Sequence, residues 1–311
     1  PESRDDAAPT PRAARAGEHS PSAHADATTL RVAVDKVDQL INLVGELVIT
    51  QAMLAQAAST QDGGTNEALA NGLVFGPQDL PGYGQQAVLR NLPRAGEDLN
   101  NAIKLDPALA IAYVNRANLY NVAGRPDRAM IDANRAVELA PNMPHPYFVR
   151  GAAAIKLKNN DLAISDFTEV LRMRPNFAQV YGLRGLAYHN QGDDVRAVAD
   201  YDERLNREPE IGTYLNRGDA RRNLKNYTGA SDDYSEAIRL APANPGGWKG
   251  RGFIRMMTQD FKGSVADFDE AIKLDPSEAG VYMNRGSSLA MLGEKARALA
   301  DYEMAIKIDP T

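Results

Sequence analysis

One helical face is written seven times along this chain. Ala95, Leu99 and Ala102 stand four and three residues apart, and Ala129, Ala133 and Ala136 repeat the spacing. Later copies vary it, as in Ala163, Phe167, Val170 and in Ala230, Tyr234, Ala237. Such a rhythm places the three residues on one side of a helix, which buries them. Five residues after each set stands a proline: Pro107, Pro141, Pro175, Pro209, Pro242, Pro276 and Pro310. Their spacings are 34, 34, 34, 33, 34 and 34, and a fixed period in this range marks stacked supersecondary units. With each proline numbered 32, position 4 is Tyr113, Tyr147, Tyr181, Tyr214, Trp248 and Tyr282, and position 8 is Ala117, Gly151, Gly185, Gly218, Gly252 and Gly286. The pattern predicts two helices per unit, the second carrying positions 20, 24 and 27 and stopped by the proline. The small residue at 8 is expected to let the helices approach, with the aromatic at 4 filling the gap beside it.

Two copies depart from the rule. The first keeps only its second half, because Gly82 and Tyr83 stand at positions 7 and 8; residues 84–107 read as an N-terminal capping unit. The copy ending at Pro209 has Arg204 at position 27, where Ala or Val is usual, and the next join is one residue short before Gly212. A local change of superhelical geometry is expected near residues 204–214.

Two charged columns run through the array. Position 7 is Arg116, Arg150, Arg184, Arg217, Arg251 and Arg285, and position 23 is Asp98, Asp132, Asp166, Asp200, Asp233, Asp267 and Asp301. Neither slips to Lys or Glu, as a ladder of bidentate pairs requires. Asp98 exists although its own copy lacks the arginine, which points to pairing from one repeat to the next; pairing inside a repeat would instead leave Asp98 spare.

Upstream the pattern changes. Val37, Leu40, Ile41, Val44, Leu47, Val48 and Leu54 form a wide apolar stripe of one amphipathic helix, which needs a partner. Residues 74–84 hold Pro77, Pro81 and three glycines and read as a linker. Residues 1–28 are rich in Pro, Ala, Ser and charge with no hydrophobic period, so a disordered tail is expected, with His19 and His24 as solvated tail residues rather than metal ligands. The chain opens on Pro1 rather than methionine, which reads as a fragment or a processed form.

Bulk properties narrow the function classes. The 311 residues are 43% hydrophobic but only 6% aromatic, which suits close helix packing better than a sandwich or barrel. Net charge is -6 without a basic run, so nucleic-acid binding lacks its electrostatic footprint. The absence of cysteine removes disulfides, thiolate metal sites and thiol nucleophiles, and fits a reducing, cytoplasmic setting. No apolar run reaches roughly 18 residues, so no membrane span is expected.

Two resemblances follow from these residues. The 34-residue copies, with Tyr or Trp, then Arg-Gly, then Ala before the proline, resemble the tetratricopeptide repeat family. That resemblance implies an all-α, right-handed α-solenoid of helix-turn-helix repeats over residues 85–311, a half repeat plus six full ones. In the family the first helices line a concave groove, and positions 2, 5, 9 and 12 face a bound peptide. Carried over, the groove holds Val114, Asn118, Asn121, Phe148, Ala152, Ile155, Leu186, His189, Leu215, Asp219, Arg222, Lys249, Phe253, Met256, Met283 and Ser287. The family's clamp for chaperone tails needs Lys at 5 with Asn at 9; here Lys249 is followed by Phe253, so that ligand is not expected. Residues 29–73, TLRVAVDKVDQLINLVGELVITQAMLAQAAST and then TNEALANGL, resemble the dimerisation hairpin of bacterial chemotaxis histidine kinases. This implies self-association or docking and carries no kinase function, since the match stops at Leu73.

Catalysis finds no support in the letters. GYGQQA at 82–87 fits a dinucleotide loop, but no strand precedes it. No Walker loop, HExxH or GxSxG occurs, and neither His145 nor His189 has a nucleophile at a recognisable spacing. The reading is a non-catalytic scaffold or adaptor without cofactor or metal, holding a protein or peptide partner. Two alternatives stay open: a chemosensory-array adaptor using residues 29–73, and the recognition arm of a larger enzyme. Leu299, Tyr302, Ala305 and Ile306 are expected to leave an apolar C-terminal edge for another copy, another protein or further downstream sequence to cover.

Overall fold

The computed structural model describes residues 95–310, so the tail, helical segment and linker expected at 1–28, 29–73 and 74–84 lie outside the described residues. Helical residues 95–105 are followed by six helix pairs. These are α1 (Ala110–Val122) with α2 (Pro126–Leu139), α3 (Pro144–Lys156) with α4 (Asn160–Met173), and α5 (Ala178–Asn190) with α6 (Asp194–Arg207). Then come α7 (Ile211–Asn223) with α8 (Tyr227–Leu240), α9 (Pro245–Met257) with α10 (Phe261–Leu274), and α11 (Ala279–Met291) with α12 (Lys295–Ile308). Every first helix has 13 residues and every second one 14, so the units stack as near-identical blocks of an α-solenoid.

A three-residue turn joins the helices of each pair. Its middle residue is left-handed in all six: Gly124, Lys158, Gly192, Lys225, Gln259 and Gly293. That conformation turns the next amide back onto the first helix, as in Asn159 N to Ala154 O at 2.8 Å and Asp193 N to Tyr188 O at 2.9 Å. Asn159, Asp193, Asn226 and Asp260 then cap the second helix with their side chains.

The two helices of a repeat close through positions 8 and 24. A Cβ added to Gly151, Gly185, Gly218 or Gly286 would lie 2.8 Å from the ring of Phe167, Tyr201, Tyr234 or Tyr302. Only glycine admits those rings. In the first full repeat Ala117 stands at position 8, and the residue facing it is Ala133. The expectation for position 4 needs correction, since the gap at 8 is filled by position 24. The aromatic at 4 packs on the core and reaches the join with its polar tip: Tyr113, Tyr147 and Tyr181 donate to the carbonyls of Pro107, Pro141 and Pro175, and Trp248 Nε1 donates to Pro242 O at 2.9 Å.

The charged ladder exists, but its pairs lie inside each repeat. Arg150 Nε and Nη2 donate to both Asp166 oxygens at 2.8 and 2.7 Å, and Arg116–Asp132, Arg184–Asp200, Arg251–Asp267 and Arg285–Asp301 follow the same geometry. Arg217 reaches Asp233 likewise. Asp98 is therefore the spare member, and pairing from one repeat to the next is not what the aspartates do. The cross-repeat bond comes from the third guanidinium nitrogen. Nη1 of Arg116, Arg150, Arg184, Arg217, Arg251 and Arg285 donates to Asn100, Asn134, Thr168, Asp202, Ser235 and Asp269, which occupy position 25 of the preceding repeat. Each arginine also lies over its own position-4 ring, at 5.2 to 5.8 Å. Hydrogen bonds to Asp132, Asp166 and Asp200 hold the Arg116, Arg150 and Arg184 guanidinium groups above their ordinary value, although burial works the other way.

Near Arg204 the join itself is irregular. Three residues, 208–210, separate α6 from α7, where the other joins between described pairs have four. Glu210 replaces the usual backbone turn by accepting from Gly212 N, Thr213 N and Thr213 Oγ1 at 2.7 to 2.8 Å. Buried Arg204 pairs with Glu208 and packs its stem beside Gly182, where an added Cβ would make an ordinary contact with its Cγ at 3.6 Å.

Replacing Arg150 by Lys should destabilise the array by about 3 kcal/mol, because Asp166 loses a bidentate partner and Asn134 loses its donor. Arg172→Lys, at an exposed pair with Glu169, should stay within about 0.5 kcal/mol. Equal denaturation midpoints for the two variants would contradict this account of the ladder.

Candidate functional site

The first helices of successive repeats touch one another, whereas the second helices do not approach to the same degree. In a stack of helix pairs this places α1, α3, α5, α7, α9 and α11 on the inner face. The residues expected to line a groove lie on these helices, but they divide into two groups.

In the first two full repeats the face is largely closed. Val114, Asn121, Phe148 and Ala152 are buried, so they are packing residues and not open lining. Phe148 stacks on Phe177 with ring centres 5.5 Å apart, and Ile155 packs on the same core. Asn121 Nδ2 donates to Val149 O at 3.2 Å, and Lys156 Nζ donates to Asn121 O at 2.7 Å, both across the join. The side-chain oxygens of Asn118 and Asn121 are buried and accept no hydrogen bond. Leu186 is half-buried, and His189 Nδ1 lies 2.5 Å from Asp194 Oδ1 at the start of α6.

From the fourth full repeat onward the face opens. Leu215 packs beside Tyr234 and Ile254, yet Asp219, Arg222, Lys249, Phe253 and Met256 all keep solvent contact, and Met283 is 55% exposed. These side chains are tied together. Arg222 pairs with Asp219 at 2.9 Å and lies over the Phe253 ring at 5.5 Å. Lys249 Nζ reaches Glu278 at 2.5 Å, and Ser287 Oγ donates to Met283 O at 2.9 Å. Glu278 was not among the expected residues; it sits in a join, outside positions 2, 5, 9 and 12. The position-25 acceptors were missed as well, although their signal is readable: each carries an oxygen acceptor.

Position 9 also decides the fate of a buried hydroxyl. Tyr234 donates to Asp219 Oδ1 at 2.8 Å, whereas in the repeat of Tyr201 position 9 is Leu186, which offers no acceptor, and the Tyr201 hydroxyl has no partner. Burial pushes both hydroxyls well above the ordinary phenol range. Among the described residues no group of three His, Cys, Asp or Glu side chains could hold a metal, and no helix is long and apolar enough to cross a membrane.

The sequence profile described as tetratricopeptide repeat matches residues 87–144, 148–208 and 256–311, more than half of the chain, and a second profile of that description matches 211–244. The chain belongs to the tetratricopeptide repeat family. Solved structures agree on the fold. A tetratricopeptide repeat protein from Parabacteroides merdae superposes with a TM-score of 0.56 at 21% identity, covering 72% of this chain and 89% of that one. The C-terminal part of a TPR repeat-containing protein from Cytophaga hutchinsonii gives 0.56 at 18%, covering 72% and 92%. YrrB, described as a TPR protein with an unusual peptide-binding site, gives 0.51 at 18%, covering 58% and 94%.

A different profile, the homodimeric domain of signal-transducing histidine kinases, matches residues 27–103, running past Leu73 into the first repeat. Chemotaxis protein CheA of Salmonella typhimurium is 62% identical over 47 residues, which are 15% of this chain and 7% of that protein. CheA of Rhizobium meliloti is 53% identical over 45 residues, 14% and 6%. The chain thus matches only a small part of these relatives, a dimerisation segment and not a kinase domain. Its tetratricopeptide array is a scaffold for protein interactions.

Tyr201→Phe should stabilise the array by about 1 kcal/mol, since it removes a buried hydroxyl without a partner, and Tyr234→Phe should destabilise it by about the same amount. Shifts of the same sign in urea unfolding would refute this difference.

Proposed function

We propose that the open inner face of the last three full repeats holds an apolar side chain or helix of a partner protein. The observation that carries this is the sequence of half-open residues from Arg222 through Phe253 and Met256 to exposed Met283, rimmed by the Lys249–Glu278 pair. Polarizable methionines beside an aromatic ring adapt to varied apolar surfaces, and the charged rim orients a ligand without a deep pocket. The two closed repeats before them would stiffen the platform. Peptides selected from a random library against the full chain should bind about tenfold more weakly to Phe253→Ala or Met283→Ala. Ile131→Ala, on an exposed site of α2, should leave their affinity unchanged. Affinities indifferent to both inner-face substitutions would remove the assignment.

A second observation favours a narrower role. The histidine-kinase homodimeric profile covers the segment with the wide apolar stripe, so we read residues 29–73 as joining two copies or docking the chain in the cytoplasm onto a chemosensory kinase. The chain should then co-sediment with reconstituted chemosensory arrays, and deletion of 29–73 should abolish this. Co-sedimentation that survives the deletion would leave only the scaffold.

A further inference from the structure

The methionines of this chain are unevenly placed. Of nine, Met53 lies outside the described residues, Met130, Met143 and Met173 belong to the first two full repeats, and the other five lie on the last two. The chain has no cysteine, so thioethers are its only sulfur and its most easily oxidised side chains. On the last described pair, Tyr302 and Ala305, expected at an apolar edge, turn instead into their own repeat against Gly286 and the core. Met283, Met291 and Met304 share that pair, whereas Met256 and Met257 belong to α9, one repeat earlier.

Those two adjoin the inner-face ring. Phe253, Met256 and Met257 stand at i, i+3 and i+4, so both thioethers lie on the side of α9 that carries the ring. Met256 is half-buried and Met257 is 48% exposed. This exposure does not come from an end of the array, because α9 touches a first helix on each side, α7 and α11. No earlier full repeat places methionine at either position, 12 or 13. Met130, by contrast, packs on the core of the first repeats.

We propose that Met256 and Met257 are a modification site: a peroxide converts their thioethers to sulfoxides and so weakens the docking of an apolar partner on the inner face. This rests on the reading of that face given above. The sulfur lone pair attacks the terminal oxygen of the peroxide, the S–O bond forms and the O–O bond breaks. The proton passes to the oxygen left behind, which departs as water or an alcohol; sulfur loses two electrons and the peroxide gains them. A thiol-dependent reductase reverses the change, drawing two electrons from a dithiol and releasing the oxygen as water. The thioether is a flexible apolar group that fits varied surfaces, whereas the sulfoxide is polar and loses its water when an apolar partner covers it. Because Met257 is exposed and Met256 half-buried, the added oxygen meets the partner and not the core, and the helix stack stays folded.

The test reads the ratio of dissociation constants after and before hydrogen peroxide treatment, with the peroxide removed before titration. The probes are library-selected peptides without methionine or cysteine, and every full-length chain compared carries Met283→Leu, which confines the inner-face difference to α9. Oxidation should weaken binding about tenfold, and a methionine sulfoxide reductase with a dithiol should restore it. Adding Met256→Leu and Met257→Leu should bring the ratio below about two. Adding Met143→Leu instead, at a site 57% exposed in the join before α3, should leave it near ten. Peptide mass mapping should find Met257 oxidised sooner than Met130, and circular dichroism should show the same helical content before and after. A ratio near one, in a chain whose binding falls with Phe253→Ala, would overturn this inference and leave the inner-face reading standing. Binding indifferent to Phe253→Ala would remove both. A loss that persists with both α9 substitutions, or that comes with loss of helix, would also overturn the modification site.

Discussion

The array depends on what one arginine per repeat does with its three nitrogens. Nε and Nη2 grip the aspartate sixteen residues on and so fasten the first helix to the second. Nη1 reaches back to position 25 of the preceding repeat and so fastens one repeat to the next. The flat face of the group lies on the position-4 ring, whose hydroxyl or indole N–H in four repeats also holds the proline carbonyl of the join. A lysine offers one point of charge and could meet only one of these demands. The ion pair is half-buried, so its net contribution to stability is modest against a hydrophobic replacement, while its geometry admits one register only.

Packing follows the same economy of fit. Glycine at position 8 and a ring at position 24 are a matched pair, and where the ring is replaced by Ala133 the glycine gives way to Ala117. Arg204, a long polar side chain where alanine or valine is usual, is buried with its stem beside Gly182 of the first helix of its own repeat. The shortened join beside it loses its backbone turn and is capped by Glu210. An irregularity in the repeat is thus absorbed locally by its neighbours, as expected when each unit contacts only the next.

The same tiling is incomplete along part of the inner face. The inner face is sealed where Phe148 stacks on Phe177, and open where Phe253, Met256 and Met283 meet charged neighbours without a second aromatic to close the gap.

Period, helix count and the two charged columns were all legible in the letters, because each is a strict repetition and a repeat contacts mainly its neighbours. The partner of each column was not. Asp98 suggested pairing across repeats, and only the three-dimensional reach of a guanidinium shows that the aspartate is taken inside the repeat while Asn, Thr, Ser or Asp at position 25 is taken across it. The groove was legible as a set of helix positions but not as a surface. Val114 and Phe148 occupy the same position as Lys249 and Met283, and whether such a residue is core or lining depends on the volume its neighbours leave, a property of the packed join that no single position carries.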